Sequence, residues 1–166
     1  MTDDQAAFAV APPDPQLRRL EPLLGTWRSE GQTRASILGP GVPVTSTETF
    51  DWLDGGYFLV STYETTFGDE PTQTGVNYWG YDADSQRFQI IFFSNNGPYT
   101  EDGNRYYGEV EGQTLTFEGP ARFQYALGPD GQIALDDEGR VTVAWWLRDE
   151  HGAWQPWMTN VFTRID

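Results

Sequence analysis

From residue 26 onward the chain offers no long stretch of helical period, only short alternating segments separated by turn-forming residues. Strand-like segments fall at 26–34, 44–53, 57–67, 74–81, 87–94, 105–110, 114–118, 122–127, 140–147 and 154–165, with a weak one near Ile133. Between them lie Gly39-Pro40-Gly41, Asp54-Gly55-Gly56, Asp82-Ala83-Asp84-Ser85, Asn95-Asn96-Gly97, Glu111-Gly112, Pro129-Asp130-Gly131 and the polar run Asp149-Glu150-His151-Gly152. Roughly nine or ten short strands at such spacing predict a sandwich or a barrel. The connections are nearly all hairpin-length, which favours an up-and-down meander, and closing the meander removes its two exposed edges. The expected fold is all-β: a closed antiparallel up-and-down barrel of about ten strands.

One helix precedes the strands. Asp14 is placed to cap it, Pro15 suits its first position, and Leu17, Leu20, Leu23 and Leu24 give it an apolar face that ends at Gly25. A helix of two to three turns there is the right size to plug one end of the barrel. Residues 1–13, rich in Ala, Asp and Pro, predict a loose tail, and 14–166 a single domain.

Composition removes many chemistries. The 166 residues include no Cys, and all ten basic residues are Arg, so thiol nucleophiles, thiolate metal sites and Schiff bases are excluded. A single histidine, His151, cannot build a multi-histidine metal site. No metal and no cofactor are expected. The formal net charge of -15 repels nucleic acid and anionic membranes, and no apolar run is long enough to cross a bilayer. Residues 1–10 lack the basic start of a signal peptide, so a cytoplasmic location is expected.

Strand alternation sorts side chains into inward and outward sets. Taking Trp27 as inward at the plugged end places Ser29 and Gly31 inside. Charged or amide residues at alternate positions turn Leu59, Ser61 and Tyr63, then Phe88, Ile90 and Phe92, then Phe123 and Tyr125 to the interior. The same rule directs Val143, Trp145 and Leu147 inward, and Met158, Asn160 and Phe162 on the last strand. The segment 74–81 is ambiguous, since both of its phases are apolar; Val76 and Tyr78 are taken as inward. The expected ligand-contacting set is therefore Tyr63, Tyr78, Phe92, Tyr125, Trp145, Met158 and Asn160. An apolar interior with a few convergent polar groups is the usual form of a small-molecule site. The competing reading is that these aromatics simply fill the barrel. Trp146 and Trp157 fall on the outward phase, where an aromatic patch would suit a homodimer.

Other motifs carry less. His151 with Asp149 and Glu150 has the elements of a general-base pair, but a polar hairpin turn is a solvated place for it. Asp82-Ala83-Asp84-Ser85 and Asp136-Asp137-Glu138-Gly139 read as Asx-type turns rather than calcium loops. Glu64, Glu101, Glu109 and Arg105 are candidates for a charged site at the open end.

The segment 20–32, LEPLLGTWRSEGQ, resembles the lipocalin and calycin pattern, in which a short Leu-rich helix runs into Gly-x-Trp at the head of the first strand. Gly25-Thr26-Trp27 supplies that motif, and Arg164 matches the pattern's partner arginine. The resemblance implies that Arg164 lies across Trp27 and closes the barrel at the helix end. The segment also resembles nitrobindin-like proteins. Gly55-Gly56-Tyr57-Phe58-Leu59 and Gly80-Tyr81-Asp82 are similar to an uncharacterised bacterial lipocalin-like domain family. Nitrobindin-like barrels hold haem through an inward histidine near the C-terminus. This chain has Asn160 and Thr163 in that neighbourhood, so haem is not expected. The expected function is binding of a small apolar or aromatic molecule in the cavity. Two rivals stand beside it: a metal-independent cyclase, isomerase or dehydratase in the same cavity, and a filled barrel acting through its surface.

Overall fold

A computed structural model describes residues 10–166. Residues 1–9, most of the expected tail, lie outside the described residues. At the edge of that segment the Tyr57 hydroxyl donates to the Ala11 carbonyl, so the chain before the helix lies against the turn that precedes the third strand.

Asp14 caps the helix by accepting from the Gln16 amide at 2.9 Å, with Pro15 at the first position. The helix, Pro15–Leu23, is of the 3-10 type. Its leucines explain why: Leu17, Leu20 and Leu23 recur every third residue, the 3-10 period, and all three are buried on one face. Pro22 lies inside the helix, where an α-helix would lose a backbone hydrogen bond.

Ten strands follow: β1 (Gly25–Thr33), β2 (Pro43–Trp52), β3 (Leu59–Phe67), β4 (Gln73–Asp82), β5 (Arg87–Ser94), β6 (Arg105–Glu111), β7 (Thr114–Glu118), β8 (Arg122–Ala126), β9 (Val141–Arg148) and β10 (Trp154–Arg164). Each pairs antiparallel with its sequence neighbours, and β1 pairs with β10 from Trp27↔Arg164 to Thr33↔Met158, closing the barrel. The weak strand near Ile133 does not form. Ile133 makes an isolated bridge to Leu127 and donates its amide to the Arg19 carbonyl, tying the helix to the β8–β9 connection.

The seam is sealed at the helix end. Trp27 is 1% exposed, and its indole N–H donates to the Leu23 carbonyl at 2.6 Å. The Arg164 guanidinium lies 4.4 Å above the Trp27 ring and donates to the carbonyls of Pro22 and Leu24. Above this plug Phe50, Leu59, Trp79, Phe88, Leu115, Phe117, Phe123 and Val141 form the core. Trp79 is its hub, with ring centroids 5.8 Å from Phe50, 5.4 Å from Phe117 and 6.2 Å from Phe123. The hydrophobic core therefore occupies the helix half of the barrel.

The register corrects the expected phase of β4. Ser61 pairs with Asn77 and Leu59 with Trp79, so Asn77 and Trp79 face inward while Val76 and Tyr78 lie on the outer surface. Tyr78 packs edge-on against outward Phe93, with ring centroids 6.4 Å apart. The choice between phases follows from polar satisfaction: inside, Trp79 and Asn77 both donate to the Ser61 hydroxyl, at 3.1 and 2.9 Å.

A second correction concerns Trp157. The β9–β10 register slips between Pro156 and Met158, leaving Trp157 as the extra residue of a bulge. Its ring stacks on Phe67 of β3, centroids 5.6 Å apart, across the two strands that separate β10 from β3. Trp157 therefore reaches over the mouth rather than joining Trp146 on the outside, where Arg122 lies 5.5 Å from the Trp146 ring. The exposed pair behind the homodimer expectation does not exist.

Candidate functional site

Beyond the core half, inward-facing residues stop being fully buried. Tyr63, Asn77, Phe92, Tyr106 and Trp145 all point into the barrel yet keep partial solvent access. Their accessible inward faces mark a chamber on the side of the core opposite the helix, where Trp157 stacks on Phe67. On the β5–β6 side strand pairing covers only Phe88↔Gly108 to Ile91↔Arg105. Past it, buried Asn104 takes over, donating its side-chain amide to the Phe92 carbonyl at 2.8 Å and accepting from the Thr100 amide.

Between the core and these residues the interior carries a carboxyl group that the expected set did not include. On β2, Val44, Ser46, Glu48, Phe50 and Trp52 share one face, which pairs inward with Phe67, Tyr63, Ser61 and Leu59. Glu48 is thus enclosed by the barrel, and it keeps some solvent contact. Asn77 Nδ2 donates to its Oε1 at 3.3 Å, and Ser61 also hydrogen-bonds to it. Burial pushes its pKa up from 4.5 to about 7, more than these two bonds pull it down. No ion pair among the described residues involves Glu48.

The wiring around Glu48 is directional. Ser61 Oγ accepts from both Asn77 and Trp79, so its own proton is left to point at the carboxyl. Asn77 presents its amide N–H as well, and both neighbours therefore donate. Such a network suits the ionised, acceptor-only form of Glu48.

The other interior polar groups are less well satisfied. Asn160 donates to Ser29 Oγ at 3.3 Å, but its Oδ1 is buried without a partner. The indole N–H of Trp145 is buried and unpartnered too. Tyr63 hydrogen-bonds to Ser94; burial raises its pKa above 10.0, and the nearby Glu48 charge adds to the rise. Burial also drives the Tyr106 and Tyr125 hydroxyls upward, Tyr125 again with a contribution from Glu48. All three phenols therefore stay neutral at ordinary pH.

Of the residues expected to line the site, Tyr63, Phe92 and Trp145 border the chamber, with Met158 and Asn160 buried in its wall on β10. Tyr125 lies lower, against a cavity of about 10 Å³ shared with Leu23, Trp27, Glu48 and Phe50. That space is about the size of one water molecule, so the helix half is packed solid. Tyr78 is on the outer surface. Glu48, Asn77 and Tyr106 join the site without having been assigned to it. Glu48 was legible: it shares parity with Val44, Phe50 and Trp52, against Thr45, Thr47, Thr49 and Asp51 on the other face.

The Tyr63 side chain lies over Gly75 on β4. A Cβ at Gly75 would meet the Tyr63 hydroxyl at 2.6 Å and press on the Phe93 carbonyl. Gly75→Ala is expected to lower stability by about 1–3 kcal/mol and to displace Tyr63 from Ser94. Urea denaturation beside the ultraviolet titration of the tyrosines checks both effects.

The rim carboxylates do not gather. Glu64 and Glu109 face outward, opposite Thr74 and Thr116, and Arg105 Nη1 donates outside the barrel to Gln89 at 3.4 Å. No group of three or more His, Asp or Glu able to hold a metal occurs among the described residues. His151 is exposed in the β9–β10 turn, so no histidine faces the chamber where a haem would need one. An open groove of about 630 Å³ on the outer face of β2 to β5 has none of the interior polar network around Glu48. No helix among the described residues is long and apolar enough to cross a membrane.

These features define a closed ten-stranded antiparallel barrel with a helix plug and, among the described residues, a single acid inside. The chain belongs to the DUF1579 family, proteins of unknown function, whose pattern it matches over residues 12–164. A comparison with curated proteins finds no match. Among solved structures it is similar to Rv2717c from M. tuberculosis at 15% identity and a TM-score of 0.61, covering 93% of this chain and 99% of that one. It is also similar to EF1p2_mFAP2b bound to DFHBI, at 12% identity, TM-score 0.47, and 90% and 99% coverage. The S-type phycobiliprotein lyase CPES from Guillardia theta aligns at 11% identity, TM-score 0.47, and 88% and 90% coverage. At these identities the likeness to Rv2717c speaks for the fold alone, and the other two carry no argument.

Proposed function

We propose that this protein binds a small, largely apolar or aromatic molecule in the open half of its barrel. The observation that carries the reading is Glu48, an inward-facing acid without a cationic partner that keeps some solvent contact. Burying a carboxyl group is unfavourable unless something compensates it, and two neutral hydrogen bonds compensate it only in part. The interior also holds two buried polar atoms without partners, Asn160 Oδ1 and Trp145 Nε1. Tyr63, Phe92, Tyr106 and Trp145 supply apolar wall area, and Met158 adds a side chain that adapts to shape.

Native mass spectrometry of the protein purified from its own host, beside a denatured control, tests this. A small molecule that travels with the folded chain and is lost on denaturation is the expected result. Trp145→Ala and Tyr63→Ala are each expected to weaken retention about tenfold or more, whereas unchanged retention in both variants would remove the chamber as the site. A second reading, proton-transfer catalysis on a neutral substrate, draws on the same carboxyl, since a group titrating near 7 exchanges its proton readily at neutral pH. Turnover that is lost in Glu48→Gln while binding persists would favour it.

A further inference from the structure

We propose that the ligand of this chamber carries a protonated nitrogen, bound as a cation by the Glu48 carboxylate within an aromatic enclosure. The inference rests on the chamber being a binding site and names the chemistry it selects. Three independent features converge on it.

First, the hydrogen-bond wiring fixes the sign of the site. Ser61 and Asn77 both donate to Glu48, so what it presents to a ligand is acceptor character. An ammonium group is donor-only and matches that acceptor.

Second, the charge is uncompensated from every side. Facing Glu48 are Trp27 and Ser29 from β1, Ser61 and Tyr63 from β3, Asn77 from β4, Tyr125 from β8 and Val143 from β9. Only the two tyrosines among these can titrate, and both stay protonated and neutral. Arg164, the cation of the β1–β10 seam, is engaged by the Trp27 ring and the helix carbonyls of Pro22 and Leu24. An anionic ligand would meet this carboxylate with no cation to offset it.

Third, the walls suit a cation. Phe92, Tyr106 and Trp145 face inward above the buried core and keep partial solvent access, with Tyr106 5.4 Å from Phe92, so the walls beyond the core are aromatic. Ring faces attract ammonium groups, most strongly where water is excluded.

The test uses isothermal titration calorimetry on the full chain with phenethylamine and tryptamine beside their hydroxyl counterparts, phenethyl alcohol and tryptophol. Alkylamines stay protonated to about pH 10, so only the protein's acid titrates across the neutral range. The amines are expected to bind at least tenfold more tightly than the alcohols at pH 8.5. Their affinity should fall roughly thirtyfold by pH 5.5 as Glu48 takes up its proton, and Glu48→Gln should erase both preferences. Circular dichroism and the thermal transition of Glu48→Gln establish that the variant is folded. Alcohols binding as well as amines, or an amine preference that survives in Glu48→Gln, would overturn the inference while leaving the chamber as a binding site. Failure of amines and alcohols alike would count against the chamber itself, and against the inference with it.

Discussion

Replacing Trp27 by alanine is expected to lower the stability of this protein by about 3–5 kcal/mol and its melting temperature by roughly 6–20 °C. The side chain is 1% exposed and stands where three parts of the fold meet: the helix, the start of β1 and the end of β10. Truncation removes the ring that Leu17, Leu20 and Leu23 pack over, leaves the Leu23 carbonyl without its indole donor, and takes the stacking surface from Arg164. Trp27→Phe keeps most of the volume and loses the N–H, so a smaller decrease near 1 kcal/mol is expected. Arg164→Gln should also fall near 1–2 kcal/mol, because the guanidinium is exposed and a cation–π contact at such a site contributes about 0.5–1 kcal/mol. Equilibrium urea denaturation of the three variants gives the order. Were Arg164→Gln the most damaging, the arginine rather than the buried ring would be holding the seam.

The sequence was most readable where one face of a strand is charged. In β5, Arg87 and Gln89 oppose Phe88 and Ile90, and in β8, Arg122 and Gln124 oppose Phe123 and Tyr125, so alternation alone separates inside from outside. In β4 it fails: Val76 and Tyr78 on one phase are as apolar as Trp79 and Tyr81 on the other. There the decision lies in hydrogen bonds across to Ser61, which no single strand reveals. Trp157 escaped for a different reason. A bulge adds one residue to one strand, so every parity argument that crosses it changes sign, and Pro156-Trp157-Met158 has no glycine to mark the irregularity. The helix was legible in place and face but not in type. Leu17, Leu20 and Leu23 fit a period of 3 as well as one of 3.6, and Pro22 tips the balance toward the tighter coil. Glu48 was hidden by expectation, because a glutamate between two threonines on a solvent-facing sheet is ordinary, and only its parity with Val44 and Phe50 places it inside.

Glu48 also makes stability depend on pH in a direction opposite to most surface carboxylates. Its pKa lies at about 7 in the folded chain against an ordinary 4.5, so the native state holds this proton more tightly than the unfolded state does. A raised carboxyl pKa means the stabilisation is fully present below 4.5 and is lost as pH rises through 7. Each pH unit in that window costs about 1.4 kcal/mol, and the loss levels off above it. In Glu48→Gln the group cannot ionise, and every other acid titrates as before. The stability of the variant relative to the unmodified chain should therefore rise by roughly 2–3 kcal/mol between pH 5 and pH 8. The glutamine amide also sets a donor against Ser61 and Asn77, an offset near 1 kcal/mol that does not vary with pH. The slope, not the absolute difference, is thus the diagnostic, read from urea denaturation of both chains at several pH values. A flat difference would mean that water solvates Glu48 fully and that its neighbours impose no charge preference. The expected slope would mean that the barrel interior holds an acid at a free-energy cost that the fold itself does not recover, which is what a site kept for a cationic partner requires.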